Sequence, residues 1–315
     1  MKKIGLYYIT TVLVLLSCKT KNIMKEDINA SILLSLQSGV GEGALWNKKE
    51  KLLYWIDIDK SLLHRYNPTT GVNETFSTPS KIGTVVFSSE NDVIVALETG
   101  IYLFNRTDSS FTLQVNPLEG LESIRFNDGK CAPDGRFWVG TMEMACKPYA
   151  AGLYVINHDF SWKKVLDSIT VSNGIVWSAD GKIMYYIDSP TGKIVGFDYN
   201  NGEISNKRDI VVIPKEQGTP DGMTIDENGN LWVCMWGGAA VRCYNPHTGD
   251  LLQKINVDAA NVTSCWFGGE NLDTLYITSA SFWIDDVLKN KFSHDGGLFY
   301  AVPGVKGTEP YNFGK

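Results

Sequence analysis

Six polar residues recur along the sequence at intervals of 42 to 48 residues: Glu42, Thr84, Asn127, Asn173, Asp221 and Thr263. Three of them, Glu42, Asn173 and Asp221, offer two carboxylates and one amide oxygen. Oxygen donors of this kind suit Ca²⁺, Mg²⁺ or Mn²⁺, and less typically Zn²⁺. Taken singly, an Asn or Asp beside a Gly is better explained as a turn at the start of a strand. Convergence of all three on one axis favours a site for one divalent metal ion.

The chain around these residues repeats. Each copy has a polar residue, a short apolar strand, a turn seven positions later and a second apolar strand, and the turns of the four strong copies lie at Lys49, Asp134, Asp180 and Asn228. The last three turn residues precede a Gly, which is usual hairpin chemistry. Fainter copies begin at Thr84 and Thr263, the former with its turn near Asn91. Repeats of this length built of short strands are typical of propeller blades.

We therefore predict an all-β fold, a six-bladed β-propeller over residues 31–315 with a metal site in the central channel. The fixed offset argues against a sandwich with irregularly spaced hairpins. The first strand of each blade lines the channel, so the recurring polar residues should ring one mouth. The sixth copy has little chain left for an outermost strand. Residues 31–37 are expected to supply that strand and close the ring, which removes open sheet edges.

A second set of positions lies fifteen residues after the recurring ones, where the hairpin returns to the same mouth. It includes Asp57 and Asp188, which either orient the metal ligands from behind or bond backbone amides in the turns. Both interpretations stay open at this point. Met142 and Trp236 belong to the same set, and we expect them to wall the pocket.

The first eighteen residues have the pattern of an export signal. Two lysines precede an apolar run over residues 4–16, which is short for a membrane span and fits a secretory signal. The run ends in Leu-Leu-Ser-Cys, which resembles a bacterial lipobox with Cys18 as the lipidated residue. We predict an exported bacterial lipoprotein, with residues 1–18 as signal peptide and residues 19–30 as tether. It would be anchored at Cys18 on the periplasmic or cell-surface side. The alternative is a plain signal peptide with an unrelated cysteine.

Composition excludes several classes of function. The chain has 315 residues, 29 basic and 35 acidic, so no broad cationic face is expected and nucleic acid is not a predicted partner. The cysteines after Cys18 show no C-x-x-C spacing, which disfavours a zinc-thiolate site. Cys234 and Cys243 are left open as a pair across a hairpin. None of the four histidines falls at a recurring position and no G-x-S-x-G elbow occurs, which disfavours a serine triad.

Five motifs, GEGALW, RFNDGK, SNGIVWS, PDGMTID and TSCWFGG, resemble in this order the gluconolactonase/regucalcin (senescence marker protein) family, over about residues 38–312. The resemblance implies a six-bladed propeller with one divalent metal in its channel and hydrolysis of sugar lactones. It implies metal ligation by Glu42, Asn173 and Asp221, with Asp221 also the general base, and substrate binding by Arg125 and Asn127. Some relatives carry a substrate-contacting acid where this chain has Ala145, with Glu143 nearby, so sugar selectivity does not carry over.

We therefore predict a metal-dependent hydrolase that opens sugar lactones. The metal would activate a water, Asp221 would take its proton, and Arg125 and Asn127 would orient the substrate. A sugar lactone is the expected small-molecule partner, the membrane is met only through the lipid anchor, and we expect a monomer. Two alternatives remain: a metal-dependent hydrolase of esters or phosphotriesters on the same scaffold, and a non-catalytic binding propeller. The binding propeller is the weaker alternative, because binding alone does not require two carboxylates and an amide in the channel.

Overall fold

The computed structural model describes Met1 and residues 24–88, 92–284, 286–288 and 290–314. The predicted signal peptide after Met1, including Cys18, the first part of the predicted tether and the turn expected near Asn91 lie outside the described residues. Within these ranges no helix combines the length and the apolar character needed to cross a bilayer.

The described strands form six sheets and confirm the predicted all-β six-bladed propeller. Four sheets are built from four consecutive antiparallel strands, and the other two each also contain an N-terminal strand. From the channel outward, blade one contains Gly41–Asn47, Leu52–Asp57, Leu62–Tyr66 and Asn73–Ser77. Blade two contains Ile82–Phe87, Val93–Leu97, Gly100–Phe104 and Phe111–Val115. Blade three contains Ile124–Cys131, Phe137–Glu143, Ala151–Ile156 and Trp162–Ile169.

The other three blades follow the same order from the channel outward. Blade four contains Ser172–Trp177, Ile183–Asp188, Lys193–Asn200 and Glu203–Val212. Blade five contains Thr219–Ile225, Leu231–Trp236, Ala240–Tyr244, Leu251–Asn256 and the short Ile28–Asn29. Blade six contains Asn261–Gly268, Thr274–Ala280, Leu298–Ala301 and Ser31–Leu34. Two single-turn 3₁₀ helices span Ser189–Thr191 and Lys215–Gln217.

The N-terminal strand closes the ring as expected. Ser31–Leu34 pairs antiparallel with Leu298–Ala301, so blade six combines both ends of the domain. Just before it, Ile28–Asn29 adds a parallel edge to blade five, and the amide of Lys25 donates to the carbonyl of Leu252 at 2.8 Å. The end of the segment predicted as a tether is therefore held against blade five, where it covers part of an otherwise open sheet edge.

Burial decreases from the channel outward. The inner strands are almost entirely buried, and Ile82–Phe87 and Ser172–Trp177 are buried along their whole length, because both faces pack against neighbouring blades. The outermost strand Phe111–Val115 is only partly covered. Large aromatic side chains such as Trp55 and Trp232 fill the space between the sheets.

The C-terminal segment covers the end of the channel where the hairpin turns lie. Hydrogen bonds join the amide of Gly307 to the carbonyl of Leu272 in blade six, at 2.8 Å, and the amide of Gly314 to the carbonyl of Gly135 in blade three, at 3.1 Å. The recurring polar residues are at the opposite ends of the inner strands. The C-terminal segment thus leaves their mouth of the channel uncovered.

Candidate functional site

Each inner strand is irregular at its recurring polar residue. The pairing of the first two strands shifts register between Glu42 and Leu45 in blade one, between Asn173 and Ile175 in blade four, and at equivalent places in the other blades. A bulge inserts an extra residue and re-aims the side chains beside it. The recurrence seen in the sequence therefore marks a repeated bulge at the mouth of the channel.

The glycines that follow Asn173 and Asp221 are there for close packing, not for turns. A Cβ on Gly174 would lie 2.8 Å from the carbonyl oxygen of Asp221, and a Cβ on Gly222 would lie 2.7 Å from that of Thr263. Both distances are shorter than real Cβ contacts, so neighbouring inner strands approach closely only because these residues are glycine. The simple turn interpretation of these two motifs is therefore wrong.

The structure brings all five predicted site residues together. They line one cavity of about 340 Å³ at this mouth: Glu42, Arg125, Asn127, Asn173 and Asp221. Met142 and Trp236 also line it, as expected. Thr84 and Thr263 do not, because their hydroxyls bond the backbone carbonyls of Gly129 and Gly41 in the adjoining blades.

A chain of side-chain hydrogen bonds crosses the floor of the cavity from blade three to blade four. Arg125 Nη1 donates to Asn127 Oδ1 at 2.8 Å. Asn127 Nδ2 donates to Asn173 Oδ1 at 3.1 Å, and Asn173 Nδ2 donates to Ser189 Oγ at 2.8 Å. Each amide is thereby fixed in orientation. Of the two residues predicted to bind substrate, Asn127 is thus joined directly to one predicted metal ligand, and Arg125 is joined to it through Asn127.

The two carboxylates of the site are buried with little to neutralise them. Glu42 is 6% exposed and Asp221 is 5% exposed. Burial, with the charge of Asp128, raises the pKa of Glu42 to about 8, although the Gly43 amide bonds Oε2 at 2.9 Å. Burial, followed by the charge of Glu42, raises the pKa of Asp221 well above its usual range. The Arg125 guanidinium lowers both pKa values but does not reverse the shift.

This donor set fits a divalent cation. Two carboxylates that cannot both ionise beside each other in a buried site become stable as a pair when a dication lies between them. The protein's own groups raise the pKa of Asp221, so an ionised Asp221 requires an adjacent cation. Among the residues the structure describes, no group of three or more His, Cys, Asp or Glu side chains is placed to hold a metal. The predicted set differs because its third donor is an amide oxygen.

The two aspartates left open by the sequence bond backbone amides. Asp57 accepts hydrogen bonds from the amides of Gly39 and Lys60 at 3.1 and 3.2 Å. Asp188 accepts one from the amide of Val171 at 2.9 Å. Both carboxylates therefore fix the loops that lead into inner strands. They shape the mouth of the channel through the backbone.

Two other points left open by the sequence are the possible pair of Cys234 and Cys243 and the role of Glu143. Every cysteine in the described part of the chain is a free thiol, and Cys234 lies opposite Val241 and not opposite Cys243. Glu143 does not line the cavity. Its Oε2 accepts from the amide of Ala145 at 2.8 Å and so stabilises its own turn.

Reasoning from the repeat missed several residues that line the cavity, among them two large aromatic residues. Phe282 and Trp283 belong to residues 281–297, a long connection between the second and third strands of blade six. The available signal was a pair of large aromatic residues shortly after the second strand of the final repeat. Because the repeat model covers strands and hairpin turns, it assigned no role to this connection.

Comparison with known proteins agrees with this architecture. The family model described as SMP-30/Gluconolactonase/LRE-like region matches residues 40–281. A putative sugar lactone lactonase, YvrE, of Bacillus subtilis (strain 168) is 38% identical over 276 residues, which are 87% of this chain and 94% of that protein. Regucalcin of Danio rerio is 35% identical over 293 residues, 91% of this chain and 99% of that protein.

A solved structure supports the fold. The calcium-binding protein regucalcin of Agrobacterium tumefaciens (strain C58) superposes with a TM-score of 0.87 at 22% identity, covering 92% of this chain and 99% of that chain. Its low identity limits this likeness to the architecture. With the family model matched over most of the propeller and relatives above 30% identity over most of their length, the chain belongs to the SMP-30/gluconolactonase/LRE-like family.

Proposed function

We propose that this protein is a metal-dependent hydrolase that opens sugar lactones. The observation that carries the proposal is the meeting of Glu42, Asn173 and Asp221 with Arg125 and Asn127 in one open cavity. A relative of 38% identity named as a putative sugar lactone lactonase supports the substrate class. Oxygen donors and a guanidinium at the mouth of a channel suit a small polar substrate with an electrophilic carbonyl.

Glu42, Asn173 and Asp221 would hold one divalent ion, which we propose to be Ca²⁺, Zn²⁺, Mg²⁺ or Mn²⁺. When bound, such an ion polarises a carbonyl and lowers the pKa of water. Glu42 has one oxygen held by the Gly43 amide, and Asn173 Oδ1 keeps a lone pair beyond its bond from Asn127. Both side chains are thus oriented before any ligand arrives.

Asp221 is proposed to act as the general base. Beside a cation its carboxylate stays ionised and accepts a proton from the water that attacks the lactone carbonyl. The acyl carbon then gains a hydroxyl and its bond to the ring oxygen breaks. Asp221 returns the proton to that ring oxygen, so water and lactone give one hydroxy acid. Arg125 and Asn127 hold the substrate in the orientation for attack.

The proposed location of the protein is based on the sequence of its first eighteen residues. The lipobox-like end of the apolar run supports export and anchoring at Cys18, on the periplasmic or cell-surface side. We propose a monomeric propeller that meets the membrane only through this lipid.

The activity is tested with the full chain. Rates of hydrolysis are measured for a panel of lactones, aryl esters and phosphotriesters, after treatment with a chelator and after re-addition of each of the four ions. We expect lactones to be the best substrates, loss of activity in chelator and its return with at least one ion. Preferred hydrolysis of esters or phosphotriesters would replace the substrate class. Bound metal without hydrolysis of any of them would make this a binding propeller.

A further inference from the structure

The cavity has two chemically unlike sides. Arg125 and Asn127 reach in from blade three and present polar groups. Across the channel, blades five and six present three aromatic side chains, Trp236, Phe282 and Trp283, which we call the aromatic shelf. Asp221 lies on the inner strand of blade five and lines the same cavity, so both sides border the proposed reaction centre.

The aromatic shelf is unusually exposed for its size. Phe282 is 43% exposed and Trp283 is 60% exposed, and they touch each other with ring centroids 5.2 Å apart. Trp283 meets Trp236 edge to face, with centroids 6.4 Å apart and planes at 61°. Adjacent aromatic rings left in water at the rim of a cavity are typical of a binding surface. The two tryptophans form an open V above the cavity.

The shelf is held in place before any ligand binds. The buried side chain of Asn261, 2% exposed, donates from Nδ2 to the carbonyl of Phe282 at 3.0 Å and accepts at Oδ1 from the amide of Gly237, also at 3.0 Å. One amide thus fixes both parts of the shelf, the turn after Trp236 and the start of the long connection. The amide of Phe282 also donates to the carbonyl of Gly39 at 3.1 Å. A preorganised surface loses little entropy on binding.

The chemistry of the shelf points to an apolar occupant. Apart from indole N–H groups, its three side chains offer no hydrogen-bonding group. A hydroxyl-rich ring can stack a C–H face on these rings, but any hydroxyl buried against them gains no hydrogen-bonding partner there, which costs affinity. On blade three, Met142 and Met144 add further apolar surface to the cavity wall. An alkyl or aryl group would instead bury area on the shelf and gain from it.

We propose that the aromatic shelf binds an apolar substituent of the lactone substrate and thereby sets substrate preference. The substrate class is a lactone that is polar towards Arg125 and carries an alkyl or aryl group towards Trp236 and Trp283. This proposal rests on the proposed lactonase function and deepens it. The shelf residues are specificity-determining and take no part in proton transfer.

The test compares kcat/KM for δ-valerolactone, a δ-lactone with a pentyl group beside the ring oxygen, an aryl-fused δ-lactone and a disaccharide lactone. Each fully buried methylene strengthens binding about threefold to fourfold. Because the half-open shelf captures part of this gain, we expect kcat/KM for the pentyl lactone to exceed that for δ-valerolactone by about tenfold or more. The pentyl and aryl-fused lactones show which kind of apolar group is preferred. Trp283→Ala should reduce the preference for the pentyl lactone over δ-valerolactone to threefold or less.

Trp162→Ala is the matched control, since Trp162 is 45% exposed on the outermost strand of blade three, away from the cavity. It should keep the full preference. Equal kcat/KM for the pentyl and unsubstituted lactones, a preference that survives Trp283→Ala, or better use of the disaccharide lactone would overturn the proposal.

Failure of the shelf is distinguishable from failure of the lactonase function. If no lactone is hydrolysed, calorimetric titration with the pentyl and unsubstituted δ-lactams, which keep the shape but resist hydrolysis, still tests the shelf. Tighter binding of the pentyl lactam that is lost in Trp283→Ala supports it. Equal binding of the two lactams refutes it.

Discussion

Asn127 Nδ2 donates to Oδ1 of Asn173 at 3.1 Å and to the carbonyl of Ser172 at 2.8 Å. One amide on blade three thus orients a predicted metal ligand on blade four while its own oxygen receives Arg125. Substrate orientation and the metal site are therefore coupled through a single side chain.

Asn127→Ala should separate the two roles. Loss of hydrogen bonds to substrate should lower kcat/KM by about tenfold to a hundredfold, the scale of one to two such bonds. The affinity for the divalent ion should fall by less than tenfold, because Asn127 only orients Asn173. Steady-state kinetics and calorimetric titration with the ion give the two numbers. Equal losses in both would place Asn127 among the metal ligands.

Asp221→Asn should lose most of its turnover, and excess metal should not restore it. The amide keeps the size and one donor oxygen but cannot accept the proton, so we expect a loss of about two or more orders of magnitude in kcat at saturating metal. Glu42→Gln is the matched neutralisation on blade one. It should act through metal affinity and recover partly with excess ion. Near wild-type turnover of Asp221→Asn at saturating metal would make Asp221 a ligand alone.

His64 should make the propeller sensitive to mild acid. Its ring stacks on Trp55 with centroids 3.7 Å apart, Nδ1 bonds Asn73, and burial followed by the Lys60 charge lowers its pKa to about 4. In the unfolded chain His64 has the ordinary pKa of about 6.5. The stability that the folded protein gains from keeping His64 neutral is therefore complete above pH 6.5. It should be lost as pH falls towards 4.

The measurement is urea unfolding at several pH values between 6.5 and 4. Over this interval the free energy of unfolding of wild type should fall by about 1 kcal/mol per pH unit more than that of His64→Phe, which keeps a ring on Trp55 and cannot titrate. Parallel curves for the two proteins would show that His64 does not contribute.

Cys18→Ser should leave the membrane fraction of the bacterial cell, and its electrophoretic mobility should change because the lipid is missing. Cell fractionation with immunoblotting reads both. If the variant stays with the membrane at unchanged mobility, the lipobox interpretation of residues 1–18 is wrong.

The blades were predictable because one short-range rule repeats. A polar residue, a strand and a turn seven positions later recur strongly at Glu42, Asn127, Asn173 and Asp221, and a propeller converts that one-dimensional spacing into a ring. The clustering of the site followed from the same spacing. Chain order alone therefore sufficed to place these residues at a common mouth.

Features that depend on contacts between blades were not predictable in this way. Gly174 and Gly222 look like turn residues in the sequence, and only the neighbouring carbonyl oxygens show that they permit close packing. Thr263 matches the polar pattern yet bonds the backbone of blade one. Two residues of the aromatic shelf, Phe282 and Trp283, belong to a connection that has no counterpart in the other copies, so only Trp236 was indicated by the repeat.

The way the chain enters the propeller determines how it would carry mechanical load. If Cys18 is anchored in a membrane, tension on the domain passes first through the Lys25–Leu252 bond and the Ile28–Asn29 pair, and then into the closing strand Ser31–Leu34. A pull along a strand axis stretches its ladder bonds together and does not open them one at a time. The anchored end should therefore resist detachment, and little of the load should reach the inner strands that form the open mouth of the channel.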